Sequence, residues 1–170
     1  MRRSYPLLEE GKRGRVRYRI KDDFLRFWFK FVRPNWYLLE LGEVERVAFR
    51  VAEQLDEYVS AVFDDLALEH FSRRVPAVKA GRWWKGDVEI DGVAIDEKNK
   101  VAYFMEAKWS KHPLGKSLLR ELERKAELLS WKIEERKEVY FLYSRSGFAF
   151  EAEENVKLID LKDLCAQPFT

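Results

Sequence analysis

The stretch EIDGVAIDEKNKVAYFMEAKWS, residues 89–110, constrains the fold of this chain more than any other. Two runs rich in β-branched and aromatic residues flank DEKNK, a turn signal, so the spacing predicts a hairpin with strands over about 87–95 and 101–108. Most strand positions are apolar, as a buried hairpin requires. Asp91 interrupts the first strand, and Glu106 and Lys108 interrupt the second. A buried charge is costly unless it is paired or bound to a metal. Glu106 and Lys108 stand two apart and project from one face of a strand. With the turn centred near Lys98, Asp91 lies opposite Glu106. Two carboxylates that close repel and raise a pKa unless a cation lies between them. Mg²⁺ or Mn²⁺ suits such a pair of hard oxygen ligands, with waters and a substrate phosphate completing its shell. A nearby ammonium then orients a water or offsets charge at the phosphate, which is the chemistry of metal-assisted phosphodiester hydrolysis. The same spacing equally serves a salt bridge between Lys108 and the two acids.

The rest of the chain bounds this reading. At 170 residues one domain is the default, with length enough to bury a core. There is no long uncharged apolar run, which excludes a transmembrane helix, and MRRSYPLLEE lacks the apolar centre of a signal peptide. Cys165 is the single cysteine, so an internal disulfide or cysteine zinc site is excluded and a cytoplasmic location is expected. His70 and His112 do not have the spacing of a metal pair. Glutamine is confined to Gln54 and Gln167 while Lys, Arg and Glu abound, a thermophile-like composition. The net charge of +2 is too small to imply nucleic acid by itself, so any basic surface is local.

Residues 5–20 read as a hairpin with its turn at Glu10–Gly14. Arg13, Arg15, Arg17 and Arg19 share one face of its second strand, which serves either as a phosphate-contacting row or as a solvated face. DDFLRFWFKFVR, residues 22–33, reads as a helix capped by Asp22 or Asp23 and followed by Pro34. Its stripe Phe24, Phe27, Trp28 and Phe31 is expected to be core. A second helix is predicted over about 43–71, in one or two pieces, with Leu55, Val59, Val62, Phe63, Leu66 and Phe71 on its apolar side. Asp64 and Glu69 lie along it. In the extended RWWK segment one of Trp83 and Trp84 is expected to be buried and the other partly exposed. An exposed Trp84 would stack on a base, and the plain alternative has both filling the core. Residues 114–137 read as one long helix, buried along Leu114, Leu118, Leu122, Ala126, Leu129 and Ile133. EVYFLYS and VKLID read as strands and a short helix closes the chain, which together argue for an α/β sandwich with a mixed sheet. Gly115-Lys116-Ser117 lies where a phosphate-binding loop would, but the position five residues earlier is Ser110 rather than glycine. Pro113 also removes a backbone donor, so ATP binding by this chain is rejected.

Asp91, a hairpin turn and then Glu106-Ala107-Lys108 resemble the motif of the PD-(D/E)XK nuclease superfamily, and Phe63-Asp64 resembles the helical segment that supplies its further acid. Two positions depart from that pattern: Asp64 replaces the usual Glu and reaches less far, and Ile90 stands where Pro is frequent. YRIKDDFLRFWFKFVRPN, GRWWKGDVEIDGVAI and MEAKWS are similar to the C-terminal domain of archaeal AAA-type ATPases, a domain without a settled function, over about Tyr18–Leu164. The resemblance implies a restriction-endonuclease-like fold over residues 21–170. It makes residues 1–20 the wing of a winged-helix domain, facing nucleic acid or another domain, and this chain the C-terminal part of an ATPase. It assigns Asp91, Glu106 and Lys108 to catalysis and Asp91, Glu106 and Asp64 to Mg²⁺ or Mn²⁺. It also leaves a second role open, a non-catalytic module that binds nucleic acid or a partner ATPase.

Overall fold

The computed structural model describes residues 2–4, 7, 17–77 and 79–166. Among the described residues seven strands and five α-helices follow one another: β1 (Arg2–Ser4), β2 (Arg17–Arg19), α1 (Asp23–Phe27), α2 (Trp36–Glu40), α3 (Val44–Arg74), β3 (Lys79–Lys85), β4 (Val88–Asp96), β5 (Val101–Lys108), α4 (Ser117–Ala126), β6 (Lys137–Ser144), β7 (Val156–Asp160) and α5 (Leu161–Ala166). β3 to β7 form one sheet in chain order. β3, β4 and β5 run antiparallel, and β6 and β7 join parallel to β5, so the sheet is mixed. Apolar residues alternate between its two faces. Leu118, Leu119, Leu122 and Ala126 of α4 pack with Val93, Phe104 and Leu142 on one side. Phe63, Ala67 and Phe71 of α3 and Leu164 of α5 pack with Ala94, Met105 and Tyr143 on the other. β5 is therefore buried on both sides, which explains its near-continuous apolar sequence.

β1 and β2 pair antiparallel as a separate two-stranded sheet. The turn expected at Glu10–Gly14, with Arg13 and Arg15, lies outside the described residues, and for Arg17 and Arg19 the backbone alone is described. Leu7 is buried and its N–H donates to the Arg82 carbonyl at 3.0 Å, which seals part of the outer edge of β3.

The N-terminal helical run starts as expected: the Asp22 carboxylate accepts the Leu25 N–H at 2.9 Å. It does not stop at Pro34. A π-helical turn over Trp28–Val32 and a 3₁₀ turn over Arg33–Asn35 carry it into α2. Proline sits in the first turn of the new segment, where its missing N–H costs nothing. The aromatic stripe is only partly core. Phe31 is buried, but Phe24 is 69% exposed, and Phe29, Trp36 and Tyr37 also face outward. The sheet lies beyond their reach, so the stripe packs on itself and on Tyr58 of α3. α3 is one continuous helix; of its predicted apolar side Phe63 and Phe71 are buried, Leu55 and Leu66 are exposed, and Val47 and Ala67 are buried as well.

The long helix expected over 114–137 ends at Ala126, and Ile133 is exposed rather than core. A tertiary contact ends it. Arg136, buried, donates to the carbonyls of Ala126 at 2.9 Å and Trp131 at 2.8 Å, and also to that of Leu129. Its guanidinium also meets Glu138 at 2.7 Å. It thus ties the last α4 carbonyl, that of Ala126, to the carbonyls of the turns that follow, through buried charge-assisted hydrogen bonds. Among the described residues no helix is long and apolar enough to cross a membrane.

Replacing Arg136 by Met keeps the buried stem but strands these carbonyls and the Glu138 charge. Denaturant unfolding should show a loss on the order of 3 kcal/mol, and an unchanged midpoint would contradict this role.

Candidate functional site

The β4–β5 ladder ends at Gly92 opposite Met105. One residue further along, the Asp91 carboxylate takes the place of a ladder carbonyl: Oδ2 accepts the Ala107 N–H at 3.1 Å. A methyl at Gly92 would come within 3.1 Å of the Met105 side chain and 3.2 Å of Leu68, so glycine lets α3 and β5 close tightly beside the acid. On the other side Arg82 of β3 meets Asp91 Oδ1 at 3.3 Å and Asp65 of α3 at 3.1 Å. Asp91 is thus held by two donors before any substrate arrives.

Asp91, Glu106 and Lys108 line one cavity of about 630 Å³, together with Asp64 of α3 and Glu121, Arg124 and Lys125 of α4. The three residues of the hairpin therefore converge instead of pointing to opposite faces of the sheet. Glu106 is 4% exposed. Its Oε1 accepts from Lys125 Nζ at 2.7 Å, while Lys108 Nζ stands off at 3.9 Å. Its Oε2 is buried without a hydrogen-bond partner among the described residues. Burial, then the Asp91 charge, push the Glu106 pKa up to about 7, and Lys125 and Lys108 pull the other way. Burial works against the Lys125 ammonium too, but Glu106 and Glu121 outweigh it and hold its pKa above the ordinary lysine value.

Other expected positions fall elsewhere. Glu69 pairs with Arg73 at 2.6 Å and does not line the cavity. No group of three or more His, Cys, Asp or Glu among the described residues is gathered closely enough to hold a metal, so Asp64 does not complete a three-carboxylate cage with Asp91 and Glu106. Trp84 is 7% exposed and Trp83 is buried as well, so neither offers a face to a base. β3 has cover on both sides, and both rings fill it. His70 hydrogen-bonds the Tyr143 hydroxyl at 2.8 Å.

Sequence reasoning missed Lys125, Arg82, Glu121 and Arg124. For Lys125 a signal existed. Leu118, Leu122, Lys125 and Leu129 follow the i, i+4, i+7, i+11 spacing, which sets one ammonium in the apolar stripe of α4. A lysine there needs an anion, and Glu106 is that anion.

The donor set is all oxygen, one buried oxygen lacks a hydrogen-bond partner among the described residues, and the cavity is open to ligand. A hard divalent cation fits Asp91 and Glu106, with water and phosphate oxygens filling the rest of its shell.

Fold and site together define an α/β protein with a mixed five-stranded sheet, helices on both faces, and paired acids and lysines in a cavity at one end of its central strands. The chain belongs to the family DUF234, archaea bacterial proteins of unknown function, which it matches over residues 28–126. That span includes Asp64, Arg82, Asp91, Glu106, Lys108 and Lys125. The chain is similar to an uncharacterized protein of Methanocaldococcus jannaschii, 32% identical over 175 residues. The match takes in 95% of this chain and 38% of the relative, so the chain spans well under half of that relative's length. No solved structure matches the chain significantly.

The Glu106 carboxyl gives a pH test. A carboxyl whose folded pKa lies above its unfolded value stabilises the fold when protonated. That contribution is complete below the unfolded pKa of 4.5 and is lost as pH rises through about 7. In chelator, the melting temperature of the parent should therefore fall from pH 5 to pH 8 more steeply than that of Glu106→Gln, by an amount on the order of a few kcal/mol in stability. Parallel curves would contradict the assignment.

Proposed function

We propose that this chain is a metal-dependent, nuclease-like domain of the PD-(D/E)XK kind, acting on nucleic-acid phosphodiesters, and that it forms the C-terminal part of a longer archaeal ATPase. The observation that carries this reading is the state of Glu106. It is buried, faces Asp91, has one oxygen without a partner among the described residues, and opens on a cavity large enough for a nucleotide phosphate. An antiparallel hairpin followed by two parallel strands, with helices on both faces, supports a restriction-endonuclease-like fold. The 38% coverage of the longer relative supports a place within a larger protein.

Asp91 and Glu106 would hold Mg²⁺ or Mn²⁺, which when bound supplies Lewis acidity and an acidified water. The protein's own work is positioning. Arg82 and the Ala107 N–H fix Asp91. Lys108, 51% exposed at its side chain, lines the same cavity and is the group that would orient the attacking water. The attacking water gives up a proton to solvent as its oxygen bonds to phosphorus, the P–O ester bond breaks, and the departing oxygen takes a proton from solvent. Arg13, Arg15, Arg17 and Arg19 are assigned to phosphate or interdomain contacts as part of a wing.

The second reading is a non-catalytic module that binds nucleic acid or a partner ATPase. Two observations favour it: Lys125 already compensates Glu106, and Phe24, Phe29, Trp36 and Tyr37 present an aromatic surface.

Glu106→Gln separates the two. Under the first reading Mg²⁺ raises the melting temperature of the parent, the rise vanishes in the variant, and cleavage of a DNA or RNA oligonucleotide drops by about two orders of magnitude or more. A loss of stability in the variant that is the same in Mg²⁺ and in chelator would move the site to the second reading.

A further inference from the structure

Lys125 sits where the nuclease-like reading has no use for it. That reading needs one ammonium, and Lys108 supplies it. Yet Lys108 stands 3.9 Å from Glu106 and is half exposed, whereas Lys125, on the facing helix, is 2.7 Å away and only 18% exposed at its side chain. A buried ion pair that serves structure alone is stable when every lone pair and proton around it is satisfied. Here the pair is incomplete. Glu106 Oε2 has no partner among the described residues, and both side chains line an open cavity. Lys125 also has a second anchor, Glu121, one helical turn back at 3.3 Å. An ammonium with two carboxylate anchors can leave one without being lost to solvent.

We propose, resting on the metal-site reading, that Lys125 is the resident counter-cation of Glu106 in the metal-free protein and a phosphate-binding group in the loaded one. Without metal it neutralises Glu106 through Oε1. When a divalent cation shares the Glu106 carboxylate, two cations face one anion and Lys125 swings back onto Glu121. From there its ammonium reaches over the cavity to a non-bridging oxygen of the bound phosphodiester. The cavity lining makes that contact necessary. Asp64, Asp87, Glu89, Asp91, Glu106 and Glu121 face it, against Lys108, Arg124 and Lys125. A polyanion entering there needs every cation the walls can turn toward it.

The inference separates binding of metal from turnover, which a structural lysine would not do. Lys125→Met keeps the apolar stem and removes the competing charge. Titration with Mn²⁺ alone, followed by calorimetry, should show binding about tenfold tighter than in the parent. Oligonucleotide cleavage at saturating Mn²⁺ should fall at least tenfold. Lys125→Arg should restore much of the cleavage and leave Mn²⁺ affinity near that of the parent. If Lys125→Met does not fold, Lys125→Gln carries the same test, because it keeps a donor for Glu106 without the charge. Mn²⁺ affinity that is unchanged or weaker in the uncharged variant would overturn the inference and make Lys125 a structural partner. A parent that binds no Mn²⁺ would overturn the metal-site reading and this inference with it, and that result appears before any Lys125 variant is compared.

Discussion

The arrangement of this molecule turns on one buried carboxylate. Glu106 stands near the end of β5, a strand covered by helices on both faces, with only 4% of its surface exposed, at the wall of the cavity. Its charge has to be answered from the protein side. The answer is a lysine in the apolar stripe of α4; beside the pair, the Asp91 side chain fills a gap in the β4–β5 ladder and an arginine in β3 holds Asp91 from behind. The pair is not closed. One Glu106 oxygen stays without a partner among the described residues, and the ionised form is penalised by burial and by Asp91. Unfinished compensation of this kind is what the proposed cation site rests on.

The same logic ties the sheet to the N-terminal helices. Arg82 bridges Asp91 to Asp65 of α3, and Asp65 also meets Arg26 of α1 at 3.0 Å. A run of alternating charges therefore connects the cavity to the aromatic segment, so the exposed rings of Phe24 and Tyr37 and the acid pair belong to one continuous structure.

Much of this was legible in the sequence. The hairpin over 87–108 followed from apolar alternation and the DEKNK turn, and its register alone brought Asp91 opposite Glu106. β6, β7 and the last helix followed from short apolar runs. What could not be read depends on contacts distant in sequence. α4 ends at Ala126, where Arg136, ten residues on, binds the last helical carbonyl. Nothing in the local pattern distinguishes that arginine from a solvated one. Trp83 and Trp84 are both buried, as the plain alternative had them, although alternation alone would leave one ring exposed. Phe24 and Phe29 are exposed because the sheet does not extend under α1. Lys125 was legible in principle, as a charge in an apolar stripe, but its partner lies on a strand nineteen residues earlier.

The central claim is that the unfinished compensation of Glu106 marks a divalent cation site shared with Asp91. The most direct measurement is the anomalous difference map of a crystal of this protein soaked in Mn²⁺. The account predicts a peak within bonding distance of one oxygen of Asp91 and one of Glu106, with Lys125 moved away from Glu106 Oε1. A map without a peak at that position, with Lys125 still seated on Glu106, would contradict it.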